Sequence, residues 1–357
     1  MSDVLAQDLA NILQRSPALW EMLRGRSLFL TGGTGLFGRW LLEALCHANR
    51  ELDLDLHVTV LTRDAEAFTR QAPHLASDVM LTLHSGDVRD FEFPQGYFDY
   101  LIHGATTSAS ETFNGEDSLR KFDTLVDGTR RVLDFAVQCE VERFLFLSSG
   151  VAYGTQPADM SHIPESYQGA PDTSDVDTSL GQAKRAAEYL STYYAHKHGW
   201  NNTIARCFSF AGPFMPLDLH YAIGNFIHQA LHEEEIMVKG DGTSLRSYLY
   251  LGDLVTWLLT LLLQGRNGQI YNVGSDQEIS IGELARLVRD IVSSGKIVNI
   301  LGLKNQNVGN PIRNRYVPDI NKARKELGLD GWTCLSAAIR RTAAHAAPLP
   351  PSASSAR

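Results

Sequence analysis

The chain has 357 residues, of which 44% are hydrophobic and 20% charged, as is typical of a soluble globular protein. This length predicts one large domain with a smaller second lobe. A formal net charge of −9 argues against nucleic acid as a bulk partner. We expect no membrane span, because no apolar run is long enough, and no secretory signal, because the first residues include acids and no basic cluster.

The 4 cysteines are far apart and show no CxxC spacing. We interpret them as reduced packing residues of a cytoplasmic protein. No cluster of His, Cys and Asp has the spacing of metal ligands, so the sequence predicts no metal site.

Residues 1–26 are predicted to form an N-terminal helical extension, because apolar residues recur there at helical spacing. Short apolar runs then alternate with helical patterns as far as residue 208. The predicted strands are 27–30, 57–62, 79–83, 100–103, 144–147 and 202–208, and the main helices are 118–138 and 181–198. Such alternation implies parallel crossovers, so we predict an α/β fold with a doubly wound parallel sheet of the Rossmann type.

Residues 209–346 are predicted to form mainly a smaller, substrate-binding lobe beside the dinucleotide-binding domain, 27–208. The chain is expected to return to the large sheet at about 249–253 and 271–274. Ser280, followed three residues later by Glu283, is a capping-box signature that predicts a helix start. The end of the chain, 347–357, is rich in Pro, Ser and Ala and is predicted to be disordered.

A glycine-rich loop follows the first predicted strand and precedes a predicted helix. A pyrophosphate that lies against a helix N-terminus requires such a loop, because side chains there would block it. Gly32 would permit a tight turn, Gly35 a close approach of the phosphates, and Gly38 close packing of the helix on the strand. The predicted cofactor loop comprises Gly32, Gly35, Leu36, Phe37 and Gly38.

Several residues lie just past the predicted strands, where ligands bind in sheets of this kind. They are Gly35, Arg63, Asp87, Gly104 and Ser149, and we expect them to ring one crevice. At the end of the second strand, a carboxylate would hold the ribose hydroxyls of NAD, whereas the guanidinium of Arg63 can grip a 2′-phosphate. We therefore predict NADP, with NAD as the alternative because Asp64 is adjacent.

Six motifs together make the sequence resemble the extended short-chain dehydrogenase/reductase family, the NAD-dependent epimerase/dehydratase group. They are TGGTGLFG at 31–38, GDV at 86–88, HGAT at 103–106, FLSSGVAYG at 146–154, QAKRAAE at 182–188 and RSYLYLGDL at 246–254. The resemblance covers roughly residues 27–327 in the right order. The best-known members of this family modify nucleotide-linked sugars.

The resemblance implies roles for individual residues around the cofactor. Asp87 and Val88 would contact adenine, Gly104 and Ala105 would line the cofactor, and Lys184 would hold the nicotinamide ribose. Ser149 would hydrogen-bond a substrate oxygen, so Ser149 and Lys184 are the catalytic candidates.

It also implies how a nucleotide-linked substrate would bind. Arg246 matches an arginine that grips the diphosphate in sugar-active members, and Arg313 or Arg315 is a second candidate. Ser209 stands where many members have Asn, and it reaches less far. Asn225 is interpreted either as a phosphate contact or as a solvent-facing residue.

One position departs from the family's Tyr-x-x-x-Lys motif, because Leu180 stands four residues before Lys184. Leucine cannot exchange a proton, and loss of a positioned acid or base typically costs a factor of about 10²–10⁴ in rate. Three hypotheses remain open. Another group substitutes (Ser149, Lys184, Tyr153, Tyr167 or water), the site does different chemistry, or the protein binds without turnover.

Other residues receive plainer interpretations. Gly150 and Val151 stand where the family's 4,6-dehydratases carry Asp and Glu, which argues against that reaction. Tyr153 and His103 are interpreted as packing residues, and Glu188 as part of a solvated helix face.

The sequence therefore predicts an NADP- or NAD-linked oxidoreductase or epimerase that acts on a nucleotide-linked sugar or a related carbonyl compound. The alternatives are a nonredox isomerase or cyclase and a catalytically silent binding protein. By resemblance, we expect a homodimer formed through helices 118–138 and 181–198.

Overall fold

The computed structural model describes residues 3–107, 111, 115–219, 221–304 and 315–347. The helices are α1 Asp3–Arg15, α2 Pro17–Met22, α3 Leu36–Leu52, α4 Ala65–Gln71, α5 Pro73–Ala76, α6 Ser118–Gln138, α7 Ser179–His198, α8 Ala222–His232, α9 Leu251–Gln264, α10 Ile281–Val292, α11 Asn321–Leu327 and α12 Leu335–Ala346. Short 3₁₀ helices lie at Gly150–Tyr153, Val176–Thr178 and Leu301–Lys304.

The strands are β1 Ser27–Thr31, β2 His57–Thr62, β3 Leu81–Ser85, β4 Tyr100–His103, β5 Arg143–Ser149, β6 Asn201–Cys207, β7 Phe210–Ala211, β8 Glu235–Val238, β9 Leu245–Ser247, β10 Leu249–Tyr250, β11 Gln269–Val273, β12 Glu278–Ser280, β13 Ile297–Ile300 and β14 Arg315–Tyr316. Seven of them form one parallel sheet in the order β11-β6-β5-β4-β1-β2-β3. The prediction of a doubly wound parallel α/β sheet is confirmed.

Both faces of this sheet are buried, and β1 shows why. Leu28 and Leu30 point into one hydrophobic core, whereas Phe29 points into a second. The first core includes residues of α3 and α9, and the second includes residues of α6 and α7. Because successive side chains of a strand face opposite sides, a strand covered on both faces reads as a continuous apolar run.

Two expectations about the strands are wrong. β3 begins at Leu81 rather than at Val79, which is 97% exposed. Polar residues alternate with apolar ones in β3, so the sequence pattern did not mark where the strand begins. Pairing with β2 sets its bounds. The chain does not return to the large sheet at 249–253, because β10 pairs with β7 in a separate two-stranded sheet and α9 begins at Leu251. The return at β11 does occur, beside β6.

The later part of the chain builds small sheets of its own, β12-β9-β14 and β13-β8, packed with α8, α10 and α12. The capping box that opens α10 is present. Ser280 Oγ accepts from the Glu283 backbone N–H at 3.2 Å, and Glu283 Oε2 accepts from the Ser280 N–H at 3.0 Å.

The N-terminal helices pack against the body through buried charges as well as apolar contacts. The Asp8 carboxylate is 2% exposed, accepts a hydrogen bond from Tyr250 and pairs with Arg341 at 2.5 Å. Arg15 pairs with Asp253 of α9 at 2.7 Å. α1 therefore contacts both α9, beside the sheet, and α12, near the end of the chain. Residues 348–357 of the predicted tail and Arg313 lie outside the described residues.

Candidate functional site

The glycine loop forms the tight turn that the sequence predicts. Gly32 has φ +75°, and a Cβ added to it would lie 2.6 Å from the carbonyl carbon of Gly104. A Cβ on Gly38 would lie 2.4 Å from the Gly32 oxygen, whereas one on Gly35 meets only that same oxygen, at 3.4 Å. Gly35 thus leaves open space at the N-terminus of α3, where phosphate groups bind. The residues present fit a dinucleotide.

Thr31 ties this loop to the end of β4, and the sequence reasoning missed it. Its Oγ1 accepts N–H bonds from Gly104 at 3.2 Å and Ala105 at 3.1 Å, and it lies 2.7 Å from Nδ1 of His103. His103 is 1% exposed and reaches Thr129 through Nε2 at 3.0 Å. Burial, reinforced by the nearby Lys184, lowers the pKa of His103 to about 3. The neutral imidazole is a structural element, in agreement with the sequence interpretation.

Two ion pairs lie at the end of the crevice where the resemblance predicts adenine. Arg63 pairs with Glu111 at 3.2 Å, and Asp87 pairs with Arg89 at 2.9 Å. The Arg89 hydrogen bond lowers the pKa of Asp87, and Arg63 adds to this effect through its charge. Val88 fills the space beside Gly128 of α6. No motif signals Glu111, because the fold brings it to Arg63 from 48 residues away, whereas Arg89 pairs with a near neighbour in the chain.

Lys184 lies beneath the end of β5. Its side chain is buried, its Nζ donates to the Leu147 carbonyl at 2.7 Å, and it stands 4.9 Å from the Phe146 ring centre. Burial lowers the pKa of Lys184 to about 8. Ser149 ends the same strand, and its Oγ accepts from the Val151 N–H at 3.3 Å. The structure thus brings both predicted catalytic candidates to β5.

A buried polar network stands behind this strand end. Glu188 receives two bonds from Arg206, at 2.9 and 2.6 Å, and one from Ser148 at 2.5 Å. The guanidinium of Arg206 lies 4.2 Å from the ring centre of Tyr153, whose hydroxyl donates to Asn272 at 2.9 Å. The interpretation of Glu188 as solvated is wrong, since the residue is 6% exposed. Arg206, its buried counter-ion on β6, explains the error.

A cavity of about 470 Å³ opens beside the glycine loop. Leu36 and Phe37, at the start of α3, line it together with Ser209 and Arg246, two of the predicted substrate contacts. Its other lining residues are mostly aromatic or aliphatic residues of β7, α8 and the later lobe, such as Phe208, Phe210, Tyr221, Ile223 and Tyr248. Burial raises the pKa of Tyr248.

Asn225 does not line this cavity, although the neighbouring Ala222 and Ile223 of α8 do. Within the described ranges, no group of three His, Cys, Asp or Glu residues could hold a metal ion. The helices that the structure describes include none with the length and apolar character needed to cross a membrane.

The glycine loop at the N-terminus of α3, the buried Lys184 and the neighbouring cavity have the arrangement expected of a dinucleotide-binding α/β protein. The chain belongs to the NAD dependent epimerase/dehydratase family, whose model matches residues 28–274.

Curated relatives act on UDP-linked sugars, as their names state. UDP-glucuronic acid decarboxylase 6 of Arabidopsis thaliana is 29% identical over 301 residues, covering 84% of this chain and 83% of that protein. A Bacillus cytotoxicus UDP-N-acetyl-alpha-D-glucosaminuronate decarboxylase is 29% identical over 275 residues, covering 76% of this chain and 82% of the relative. Matches to two further Arabidopsis decarboxylases span only 64% of those proteins.

Among solved structures, the UDP-N-acetylglucosamine 4-epimerase from Methanobrevibacter ruminantium, in complex with UDP-N-acetylmuramic acid, has a TM-score of 0.75 at 19% identity. The match covers 90% of this chain and 98% of that one. At this identity the likeness shows the shared fold.

Proposed function

We propose that the chain is an enzyme that oxidises a hydroxyl-bearing carbon of a nucleotide-linked sugar, transiently or as a net reaction, with a nicotinamide dinucleotide. The main support for the proposal is that the cavity opens directly beside the glycine loop. Leu36 and Phe37, at the start of α3, belong to the loop and also line the cavity. The names of the curated relatives support a UDP-linked sugar as the substrate class.

The chain's own residues have distinct tasks in this proposal. Bound at the cradle, a nicotinamide supplies a site that accepts and returns a hydride. Lys184 holds the ribose and contributes positive charge. Ser149 hydrogen-bonds the reacting oxygen, and the guanidinium of Arg246 binds the diphosphate, which it matches in charge and geometry.

Between the two cofactors, we propose NAD rather than the NADP that the sequence favours. Arg63 is the residue available for a 2′-phosphate, and it is paired with Glu111. The nearby Asp87 adds a second carboxylate to this end of the crevice. A 2′-phosphate there would meet two arginines, Arg63 and Arg89, each of which is already paired with a carboxylate.

Among the reactions of such enzymes, we propose epimerisation, reduction or decarboxylation rather than 4,6-dehydration. Elimination of water needs an acid and a base at the sugar. Gly150 and Val151, directly after Ser149, supply neither.

Leu180 favours a second candidate function, in which the protein is a nonredox isomerase or cyclase, or a silent binding protein. It lies one helical turn before Lys184 on α7 and offers no proton. In this alternative the dinucleotide would serve as a scaffold.

We also propose that a second copy of the chain covers the face formed by α6 and α7. A groove of about 630 Å³ runs between these helices, lined by residues such as Arg130 and Asp134. Tyr189 and Tyr193, which also line it, are 69% and 50% exposed. Light scattering at micromolar concentration tests this, and a monomer would contradict it.

Native mass spectrometry of freshly purified protein tests the main proposal, because it identifies any dinucleotide that co-purifies. The same protein is then incubated with UDP-glucose, UDP-N-acetylglucosamine and UDP-glucuronic acid, with NAD or NADP added. We expect bound NAD and a new sugar nucleotide with at least one substrate. Product formed only by the Leu180→Tyr variant would favour the silent alternative, and product formed without any change in nicotinamide absorbance, even in a single turnover, would favour the nonredox one.

A further inference from the structure

Tyr316 lies on β14, the strand next to β9, which contributes Arg246 to the cavity lining. In the three-stranded sheet β12-β9-β14, its Cα pairs with that of Arg246. Paired residues of adjacent strands point to the same face and lie side by side. Arg246 lines the cavity, so the Tyr316 side chain stands beside a cavity residue.

The phenol of Tyr316 reaches the end of β5. A Cβ built on Gly150 would lie 2.6 Å from Tyr316 Oη and 2.8 Å from Cζ of Phe208. The Tyr316 ring packs on Phe208, with ring centroids 4.6 Å apart. The hydroxyl therefore lies against the residue that directly follows Ser149, in space that only glycine at position 150 leaves open.

Two other phenols near this strand end have different surroundings. Tyr153 is fully buried and donates to Asn272 at 2.9 Å, and burial raises its pKa to about 12. Tyr167 packs against Tyr153, with ring centroids 6.1 Å apart, and its ring lies against Gly169, where an added Cβ would be 2.2 Å from Cε1 of Tyr167. Tyr316 is half-buried, and its hydroxyl lies against Gly150, the residue that follows Ser149.

We propose that Tyr316 is a catalytic residue, the proton carrier for the substrate hydroxyl held by Ser149, in the role for which Leu180 offers no group. This inference rests on the proposed function. In the oxidation, the carbinol C–H bond breaks and its electron pair leaves as hydride to NAD⁺. The O–H proton passes to the Tyr316 phenolate, and the carbon–oxygen bond becomes a carbonyl. The reverse step returns both.

The charges around Tyr316 suit this role. Arg246 stands beside it on β9, and a neighbouring cation favours a phenolate. The adjacent Arg315 is 3.6 Å from Glu278 of β12, so its charge is largely balanced. Phe208, Gly150 and Ser149 are neutral.

The first test is the ionisation of the phenol, which needs no turnover. Tyrosinate absorbance is titrated from pH 6 to 11 for the wild-type protein and for Tyr316→Phe, each with and without NAD. Phe keeps the ring that packs on Phe208. We expect the difference between the two proteins to show one phenol that ionises at least one pH unit below the ordinary value of about 10. Superimposable curves below pH 10, with both proteins folded and binding NAD, would overturn the proposal.

The second test uses turnover of the sugar nucleotide identified above. Tyr316→Phe is expected to lower kcat about 10²–10⁴-fold with little change in KM. The matched control, Tyr167→Phe, is expected to remain within a few-fold of wild type. Adding Leu180→Tyr to Tyr316→Phe is expected to restore part of kcat, which a merely structural defect would not allow.

A loss in Tyr167→Phe with Tyr316→Phe unaffected would assign the proton to Tyr167 and overturn the inference. If no sugar nucleotide reacts with the wild-type protein, the proposed function fails, and the ionisation experiment alone decides on Tyr316.

Discussion

Glu188 and Arg206 form a buried, doubly hydrogen-bonded ion pair whose side chains are 8% and 7% exposed. The pair joins α7, which carries Lys184, to β6 of the sheet. Removing one partner of such a pair leaves an uncompensated charge in the interior.

Glu188→Ala is accordingly expected to lower the free energy of unfolding by about 3–5 kcal/mol, measured by urea denaturation. Glu66→Ala is the control, because Glu66 forms an exposed pair with Arg70 at 3.6 Å, and it is expected to change stability little. Equal changes in the free energy of unfolding for the two variants would show that the buried pair stabilises the fold no more than the exposed one.

Lys184 is expected to reduce stability at neutral pH. Its folded pKa of about 8 lies below the ordinary value of 10.5, so below pH 8 the folded state bears the full cost of a buried charge. Since the unfolded chain binds more protons between those values, this cost disappears as the pH rises from about 8 to about 10.5.

Lys184→Met should therefore be more stable than wild type at pH 7 by about 1–3 kcal/mol, allowing for the lost bond to the Leu147 carbonyl. The advantage should shrink at pH 10, and turnover should be lost. Urea unfolding at both pH values measures this, and an advantage that grows with pH would contradict the assignment.

Gly32 and Gly25 form a matched pair for testing the cofactor cradle. Both have positive φ, +75° and +65°, so alanine brings similar backbone strain at each. A Cβ at Gly32 meets the Gly104 backbone at 2.6 Å, whereas one at Gly25 meets nothing within 4 Å. We expect Gly32→Ala to weaken NAD binding more than 10-fold in calorimetry and Gly25→Ala to leave it unchanged. Equal NAD affinities of the two variants would mean that this turn does not hold the cofactor.

Glu111 is expected to set the preference for NAD. In Glu111→Gln the charge of Arg63 is no longer balanced, so NADP affinity should rise about 5–10-fold, which corresponds to about 1 kcal/mol. NAD affinity should change little. Adding Arg63→Ala should abolish the gain. A gain in NADP affinity that survives this second change would assign the 2′-phosphate to another cation.

Much of the fold could be predicted from the sequence alone. The alternation of apolar runs and helical patterns gave the parallel sheet, because strands covered on both faces must be apolar throughout. The glycine spacing located the cradle, and Ser280 with Glu283 marked a helix start. These features arise between residues that are neighbours in the sequence. At that range, residue type determines the local backbone conformation directly.

Contacts between residues far apart in the chain could not be predicted from the sequence. The burial of Glu188 depends on Arg206 on another strand, and a charged residue on a helix is ordinarily solvated. The fold also pairs Arg63 with Glu111, which shifts the cofactor proposal toward NAD. β10 lies outside the large sheet because β7 is its partner.

The sequence by itself determined the glycine turn before α3, which fits a dinucleotide, and the leucine four residues before Lys184. Only the tertiary structure brought Tyr316 against Gly150, because β14 meets the end of β5 through side-chain packing on Phe208. Contacts of that kind arise from strand pairing and packing between distant segments, and no local pattern of residues encodes them.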